Sequence, residues 1–281
     1  MRIVKKNGYY YLKHSFRKDG KVITREKYLG KTMPKNIDKI KQELKKEVQK
    51  SLYEKLEKIR DSFQKEWKRY PESAKQREKK EIAISFTYNT NAIEGSSITL
   101  EEAREIIVDK TAPNKPLKDI KETESHFKVF LDMLEKQERI SKKLLLKWHE
   151  MIFRETKSDI AGRFRDFLVR VGPYHAPHWE EVENLMKNLF KFVNNTKLNP
   201  AELAARVHYR FEKIHPFGDG NGRVGRLIMN YILWHNGCPM LIIEYTKRRS
   251  YYKALQRDED GFVNYFLRRY ITVHRKRYDQ S

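Results

Sequence analysis

Apolar positions along the chain follow two periods. Over the first 34 residues, "GYYYLKHSF" and "KVITREKYLG" are rich in aromatic and β-branched residues, and "RKDG" between them supplies a glycine-containing turn. That pattern predicts a β-hairpin. "TMPKN" then breaks it. From Ile37 onward, Ile40, Leu44, Val48, Leu52, Leu56 and Ile59 recur every three or four positions. This spacing predicts an amphipathic helix or helical pair running to about residue 80, with Pro71 as its break. From 82 to 275 the periodicity is mostly helical. The exception is "FRDFLVRVGPYHAPHW" at 164–179, a short β-branched run interrupted by Gly172, Pro173 and Pro177. It reads as a hairpin-like flap among helices. The expected fold class is therefore mainly α, with a small flap and a short β-rich N-terminal segment.

Within the helical part, "VHYRFEKIHPFGDGNGRVGRLIMNYILW" has Val207, Phe211 and Ile214 on one helical side before Pro216. After Gly222, helical spacing resumes with Val224, Leu227, Ile228, Tyr231 and Ile232. The segment is a helix, a loop at 215–226, and a second helix. A glycine loop entering a helix N-terminus offers free backbone N–H groups and the positive end of the helix dipole, which is an anion site suited to phosphate. Gly220 and Gly222 allow close approach of a ligand to the backbone. Arg223 and Arg226 lie three apart on one face, two guanidinium forks for a polyphosphate. Asp219 is a hard oxygen ligand for Mg²⁺. Asn221 can orient a phosphate oxygen or cap the helix. His215 is the group able to take a proton near neutral pH. Phe217 is expected in the core.

A second stretch, "TNAIEGSSITLEE" at 90–102, places Thr90 and Glu94 four apart on one helix face. Gly95 suits the position just past a helix end. Thr99 with Glu102 predicts a capping box that opens the next helix.

Composition narrows the classes of protein. The chain has 281 residues, 60 Lys and Arg against 38 Asp and Glu, and a net charge of +22. Residues 1–50 hold 16 of those basic residues and 5 acidic ones. Such a segment attracts polyanions, so a nucleic acid is a candidate partner there, with Tyr9, Tyr10, Tyr11 and Phe16 interleaved among the cations. With Cys238 the one cysteine, no disulfide framework or Cys-based zinc site forms within the chain. His149–Glu150 lacks the second His of a zinc helix, and His175 and His178 have no evident third ligand. Cys238 is expected to pack in the core. No apolar run is long enough to span a bilayer and no secretory signal is evident, so no membrane association and a cytoplasmic location are expected.

The string at 215–226 resembles the Fic-family motif HxFx[D/E]GNGRxxR at every defined position: His215, Phe217, Asp219, Gly220, Asn221, Gly222, Arg223 and Arg226. The resemblance extends through "GRFRDFLVRVGPYHAPHWEEVENLM" and "TKRRSYYKAL" and covers roughly residues 84–265. It implies a Fic-fold helical bundle at 82–275, preceded by a basic β-rich module at 1–34 and a charged helical linker at 35–81. It also implies a protein adenylyltransferase that moves AMP from ATP, with Mg²⁺ or Mn²⁺, to a Ser, Thr or Tyr hydroxyl of a target protein and releases pyrophosphate. By this resemblance His215 is the general base and Asp219 the metal ligand. Gly220, Asn221, Gly222 and Arg223 bind phosphates, and Arg226 binds the γ-phosphate. Val171, Gly172, Pro173 and Tyr174 lie on the flap (about 167–178), which holds the target segment by strand-like pairing. Tyr251 and Tyr252 match a pair that flanks the base, while Glu259 stands where relatives carry an Asn. Residues 90–95 match the family's inhibitory pattern [S/T]xxxE[G/N] in the subclass that places this helix, here about 84–95, N-terminal to the core. Thr90 and Glu94 then form the inhibitory element, with Glu94 pairing with Arg226. In some relatives the same Glu assists removal of AMP. Relatives often dimerise, so a homodimer is a further expectation. Two alternatives stay open: a Fic-fold transferase using another nucleotide donor, and a nucleic-acid-binding regulator acting through the N-terminal segment.

Overall fold

The computed structural model describes residues 2–18, 21–34, 36–172 and 174–278, so the turn residues Asp19 and Gly20 and the flap residue Pro173 lie outside it. Two compact units are present, Met1–Lys55 and Leu56–Ser281.

The first unit holds a three-stranded antiparallel sheet in the order β1 (Arg2–Lys6), β2 (Tyr9–Lys18), β3 (Lys21–Gly30). The predicted hairpin is β2–β3. The strand added on its other edge follows from Asn7-Gly8, whose φ values of 49° and 81° make the two-residue turn joining Lys6 to its register partner Tyr9. After the sheet, α1 (Ile37–Arg69) runs as one helix of 33 residues. Pro71 separates it from α2 (Glu72–Ile93), for which it is the N-terminal flanking residue.

The second unit continues with α3 (Leu100–Arg104), which passes into a π-helical turn at Glu105–Asp109, then α4 (Leu117–Glu135) and α5 (Lys142–Phe153). The flap strands β4 (Arg170–Val171) and β5 (Tyr174–His175) pair antiparallel. Then come α6 (Trp179–Asn195), α7 (Pro200–Ile214), α8 (Asn221–His235), α9 (Arg248–Leu255) and α10 (Glu259–Tyr278). Helix starts follow their sequence signals. Thr99 and Glu102 form both halves of a capping box, at 3.2 and 2.8 Å. Ser141 caps α5, and Asn199 followed by Pro200 opens α7.

Helix α8 is the axis of this unit. Val224, Leu227, Ile228, Met229 and Leu233 are fully buried, so α8 is enclosed on all sides, with α7, α4, α2 and α5 packed against it. Phe86 stacks on Phe130 at 4.4 Å to join α2 to α4, and Trp67 meets Trp234 edge-on at 5.1 Å to join α1 to α8. Cys238 is buried, as expected, and burial pushes its thiol up to about 12. Among the described residues, no helix is long and apolar enough to cross a membrane.

Candidate active site

The site is the loop between α7 and α8. Helix α7 ends on His215, whose φ of 51° is left-handed and turns the chain sharply into the loop. Phe217 is fully buried and anchors the turn from below. Asn221 closes it: its side chain accepts from the Phe217 N–H and donates to the Phe217 carbonyl, both at 2.8 Å. The Asn221 side chain is therefore committed to the loop's own backbone, which leaves phosphate contact there to backbone N–H groups alone. Gly220 (φ 77°) packs so tightly that an added Cβ would stand 2.3 Å from the Phe153 ring.

His149, which the sequence showed only as part of an incomplete zinc helix, supports this loop. Its ring lies 3.9 Å from that of Phe217, nearly parallel. The Gly162 N–H donates to Nδ1 at 3.0 Å, so Nε2 carries the proton and donates to the Asp219 carbonyl, also at 3.0 Å. Burial lowers the His149 pKa to about 4, which keeps this neutral tautomer. Arg165 acts from the flap side. Its guanidinium donates to the carbonyls of His215 (2.8 Å), Phe167 (2.8 Å) and Pro177 (2.7 Å), joining the 215–226 loop to both ends of the flap.

The His215 Nδ1 faces the Glu212 carbonyl at 3.3 Å. A carbonyl only accepts, so Nδ1 holds the proton and Nε2 keeps its lone pair. Burial lowers the ring's pKa, favouring the neutral form at pH 7.

Around the start of α8 the charges form two groups. In the first, Lys157 lies 2.6 Å from Asp219 and 3.2 Å from Glu122, and Arg223 pairs with Glu122. Burial pushes both carboxyls up, but these cations outweigh it and hold them below their ordinary range. Arg223 also stacks 4.3 Å over Phe153. In the second, Arg226 is 2 % exposed, and its hydrogen-bond partners lie in the last turn and cap of α2. Its Nε donates to the Thr90 hydroxyl at 2.7 Å and its Nη2 to Glu94 Oε1 at 2.6 Å. Glu94 lies directly over the helix start, where a Cβ on Gly222 would come within 2.2 Å of its carboxylate.

Not every predicted residue faces the loop in this state. Tyr251 is buried, with its hydroxyl 2.8 Å from His208 Nε2, and presents no face to a ligand; α9 turns it inward beside Arg226. Tyr252 is 41 % exposed and donates to the Ile93 carbonyl at the end of α2. On the flap, Val171 is exposed, Gly172 takes φ 57° at the turn, and the Tyr174 hydroxyl donates to the Lys213 carbonyl. Glu259 binds Arg206 and Arg210. The sequence reading also passed over Glu212. Its carboxyl lies under Gly225, and burial pushes its pKa up to about 7.

Among the described residues no cluster of three metal-ligating side chains occurs. The half-exposed Asp219 carboxylate is an oxygen ligand of the kind Mg²⁺ takes together with phosphates and water, but the Lys157 ammonium occupies it here and would have to be displaced by the ion.

Residues 139–233, which include the whole loop, match the model of the Fic/DOC family. The Protein adenylyltransferase Fic of Nematostella vectensis is 34% identical over 197 residues, 67% of this chain and 46% of the relative. The chain carries a Fic/DOC-family domain. Its counterpart named Protein adenylyltransferase Fic in Aedes aegypti is 31% identical over 69% of this chain and 41% of its own length. The chain thus spans less than half the length of these curated relatives. Among solved structures, Fic-1 from C. elegans superposes with a TM-score of 0.70 at 26% identity, covering 83% of this chain and 72% of that one. A Fic family protein from Desulfovibrio desulfuricans gives 0.67 at 28% identity, covering 80% and 73%. The Fic domain here therefore has the expected fold, a helical bundle with a small flap.

Proposed function

We propose that this chain is a protein adenylyltransferase, with residues 82–275 as the transfer module. The observation that carries the reading is the loop at 215–226. It combines a half-buried neutral histidine with its Nε2 lone pair free, a helix N-terminus entered through Gly220, and arginines on the first turns of α8. ATP would lie across the start of α8, with its phosphates on the backbone N–H groups of Asn221 and Gly222 and on Arg223, the Gly220 N–H being held by the Asp219 carboxylate. Mg²⁺ bound at Asp219 would neutralise charge on the phosphates. A target segment would pair with the flap at Val171, Gly172 and Tyr174, Pro173 lying outside the described residues. The target's Ser, Thr or Tyr oxygen attacks the α-phosphorus. An O–P bond forms, the bond to the β-phosphate bridging oxygen breaks, pyrophosphate leaves, and the hydroxyl proton passes to His215 Nε2.

The Glu94–Arg226 pair supports a restrained resting state. A guanidinium already bound by Thr90 and Glu94 is not available to a γ-phosphate, so ATP that binds is poorly aligned for in-line attack. Movement of Glu94 would free Arg226. The single buried thiol suits a reducing, cytoplasmic setting.

The test is transfer of label from α-labelled ATP with Mg²⁺ by wild type, Glu94→Gly and His215→Ala, read as self-modification or as labelled lysate proteins. Strong labelling by Glu94→Gly, weak labelling by wild type and none by His215→Ala is the expected result. Binding of ATP by all three without labelling by any would overturn the reading in favour of another donor, tested next with UTP and GTP, or of AMP removal from a modified protein.

A further inference from the structure

The N-terminal sheet takes no part in the chemistry above, yet its two faces differ sharply. Leu12 pairs with Ile3 on one side and Lys27 on the other, and is fully buried. Lys27 forms an ion pair with Glu43 of α1 at 3.2 Å, so that face is covered by the helix. Side chains alternate along strands, which puts Val4, Tyr11 and Tyr28 in one cross-strand row on the opposite face, beside the pair Lys6 and Tyr9. The Tyr28 ring is 5.8 Å from that of Tyr9 and 5.5 Å from that of Tyr11. Tyr28 is 56 % exposed, a large amount for an aromatic residue in the centre of its own cluster.

Cations frame this aromatic row. Arg2 and Lys6 are exposed on the same face, and Lys31 stands over the Tyr9 ring at 5.7 Å. Lys13 is there too, and the one acid of the face among the described residues, Glu26, is occupied by Lys13 and Lys6. Over residues 2–30 the chain carries 9 Lys and Arg against 2 Asp and Glu. A sheet face with one exposed aromatic ring, Tyr28, set against the half-buried rings of Tyr9 and Tyr11 inside a positive rim matches one polyanion best. Unpaired bases stack on the rings while the phosphates meet the rim. A duplex keeps its base faces hidden and would use only the charge. An acidic protein segment would use the charge and leave the tyrosines idle.

We propose that the Tyr9–Tyr11–Tyr28 face of the N-terminal sheet binds single-stranded nucleic acid. This stands apart from the AMP-transfer reading, since it uses no residue of the Fic domain.

The test uses the full chain and fluorescence anisotropy of labelled oligo-dT and oligo-U of about 12 nucleotides, a length within the usual single-strand site sizes. A duplex of equal length and polyglutamate serve as competitors. The single strands should bind at low salt and weaken linearly in log–log form as salt rises from about 50 to about 200 mM. Duplex and polyglutamate should compete poorly. Tyr28→Ala should weaken binding roughly tenfold, the size expected for loss of one stacked base, while Tyr28→Phe retains it. The Arg2→Glu, Lys6→Glu double variant should weaken binding and flatten the salt slope. An exposed Tyr28 is not needed for folding, and unchanged circular dichroism would show that. Absence of binding at low salt would overturn the proposal. So would Tyr28→Ala binding as tightly as wild type, or equal competition by duplex or polyglutamate.

Discussion

At the scale of single residues, the site depends on close approaches that only certain side chains permit. Gly220 combines a left-handed φ with a Phe153 ring against its back, so any Cβ both strains the backbone and strikes that ring. Gly220→Ala should cost about 1–3 kcal/mol of stability. It should also reduce label transfer in the Glu94→Gly background, measured by urea unfolding alongside the labelling assay. A variant with wild-type stability and full transfer would show that the loop has room it does not display here. His149 and Arg165 belong to this scale as well. Their partners are backbone carbonyls and N–H groups far along the chain, His149 with Asp219 and Arg165 with His215. No spacing rule reveals such pairs, which is why His149 reads in the sequence only as half of a zinc motif. Asn221 was legible as a polar loop residue. Its choice of the Phe217 backbone over a ligand was not, because that choice depends on how tightly the loop closes.

Among the elements, α2 matters through its last turn. It presents Thr90 and Glu94 to Arg226, and the two contacts differ in kind: a neutral hydroxyl acceptor and a charged carboxylate. Charge-assisted bonds are roughly twice as strong as neutral ones. Thr90→Val keeps the shape and removes only the hydroxyl, so its labelling should fall between wild type and Glu94→Gly. Labelling equal to wild type would mean that Glu94 holds Arg226 unaided. The element boundaries near the site were readable because they rest on local chemistry: the Thr99–Glu102 box and Gly95 past the end of α2. The strand β1 was missed although Asn7-Gly8 announces a two-residue turn, because "RIVKK" is too charged to stand out by hydrophobic alternation.

For the whole molecule, buried histidines set the response to acid. Burial lowers His149 to about 4, His208 to about 3 and His274 to about 4, against an ordinary value near 6.5. Below 6.5 the unfolded chain binds protons that the folded chain refuses. Their contribution to stability is therefore complete above about pH 6.5 and is lost as pH falls toward 4. Glu212 acts in the opposite direction. With its pKa pushed up to about 7, it destabilises the fold as pH rises from about 4.5 to 7, offsetting one histidine. These four groups together give a loss on the order of 2–4 kcal/mol between pH 7.5 and 5.0, and the buried His126, also held neutral by burial, adds to it in the same direction, read as a lower urea midpoint. Equal midpoints at the two pH values would contradict neutral buried histidines.

By itself the sequence determined the helical class, the β2–β3 hairpin, the flap and the loop at 215–226, since each rests on periodicity, turn chemistry or a contiguous motif. It also placed Thr90 and Glu94 on one face of a helix. Tertiary structure alone decided that this face meets Arg226, that Lys157 sits on Asp219, that Tyr251 turns into the core, and that α1 covers one side of the N-terminal sheet while Tyr28 stays exposed beside Tyr9 and Tyr11 on the other. These are contacts between segments distant in the chain or choices between two faces of one element, and packing fixes them only once the whole fold has closed.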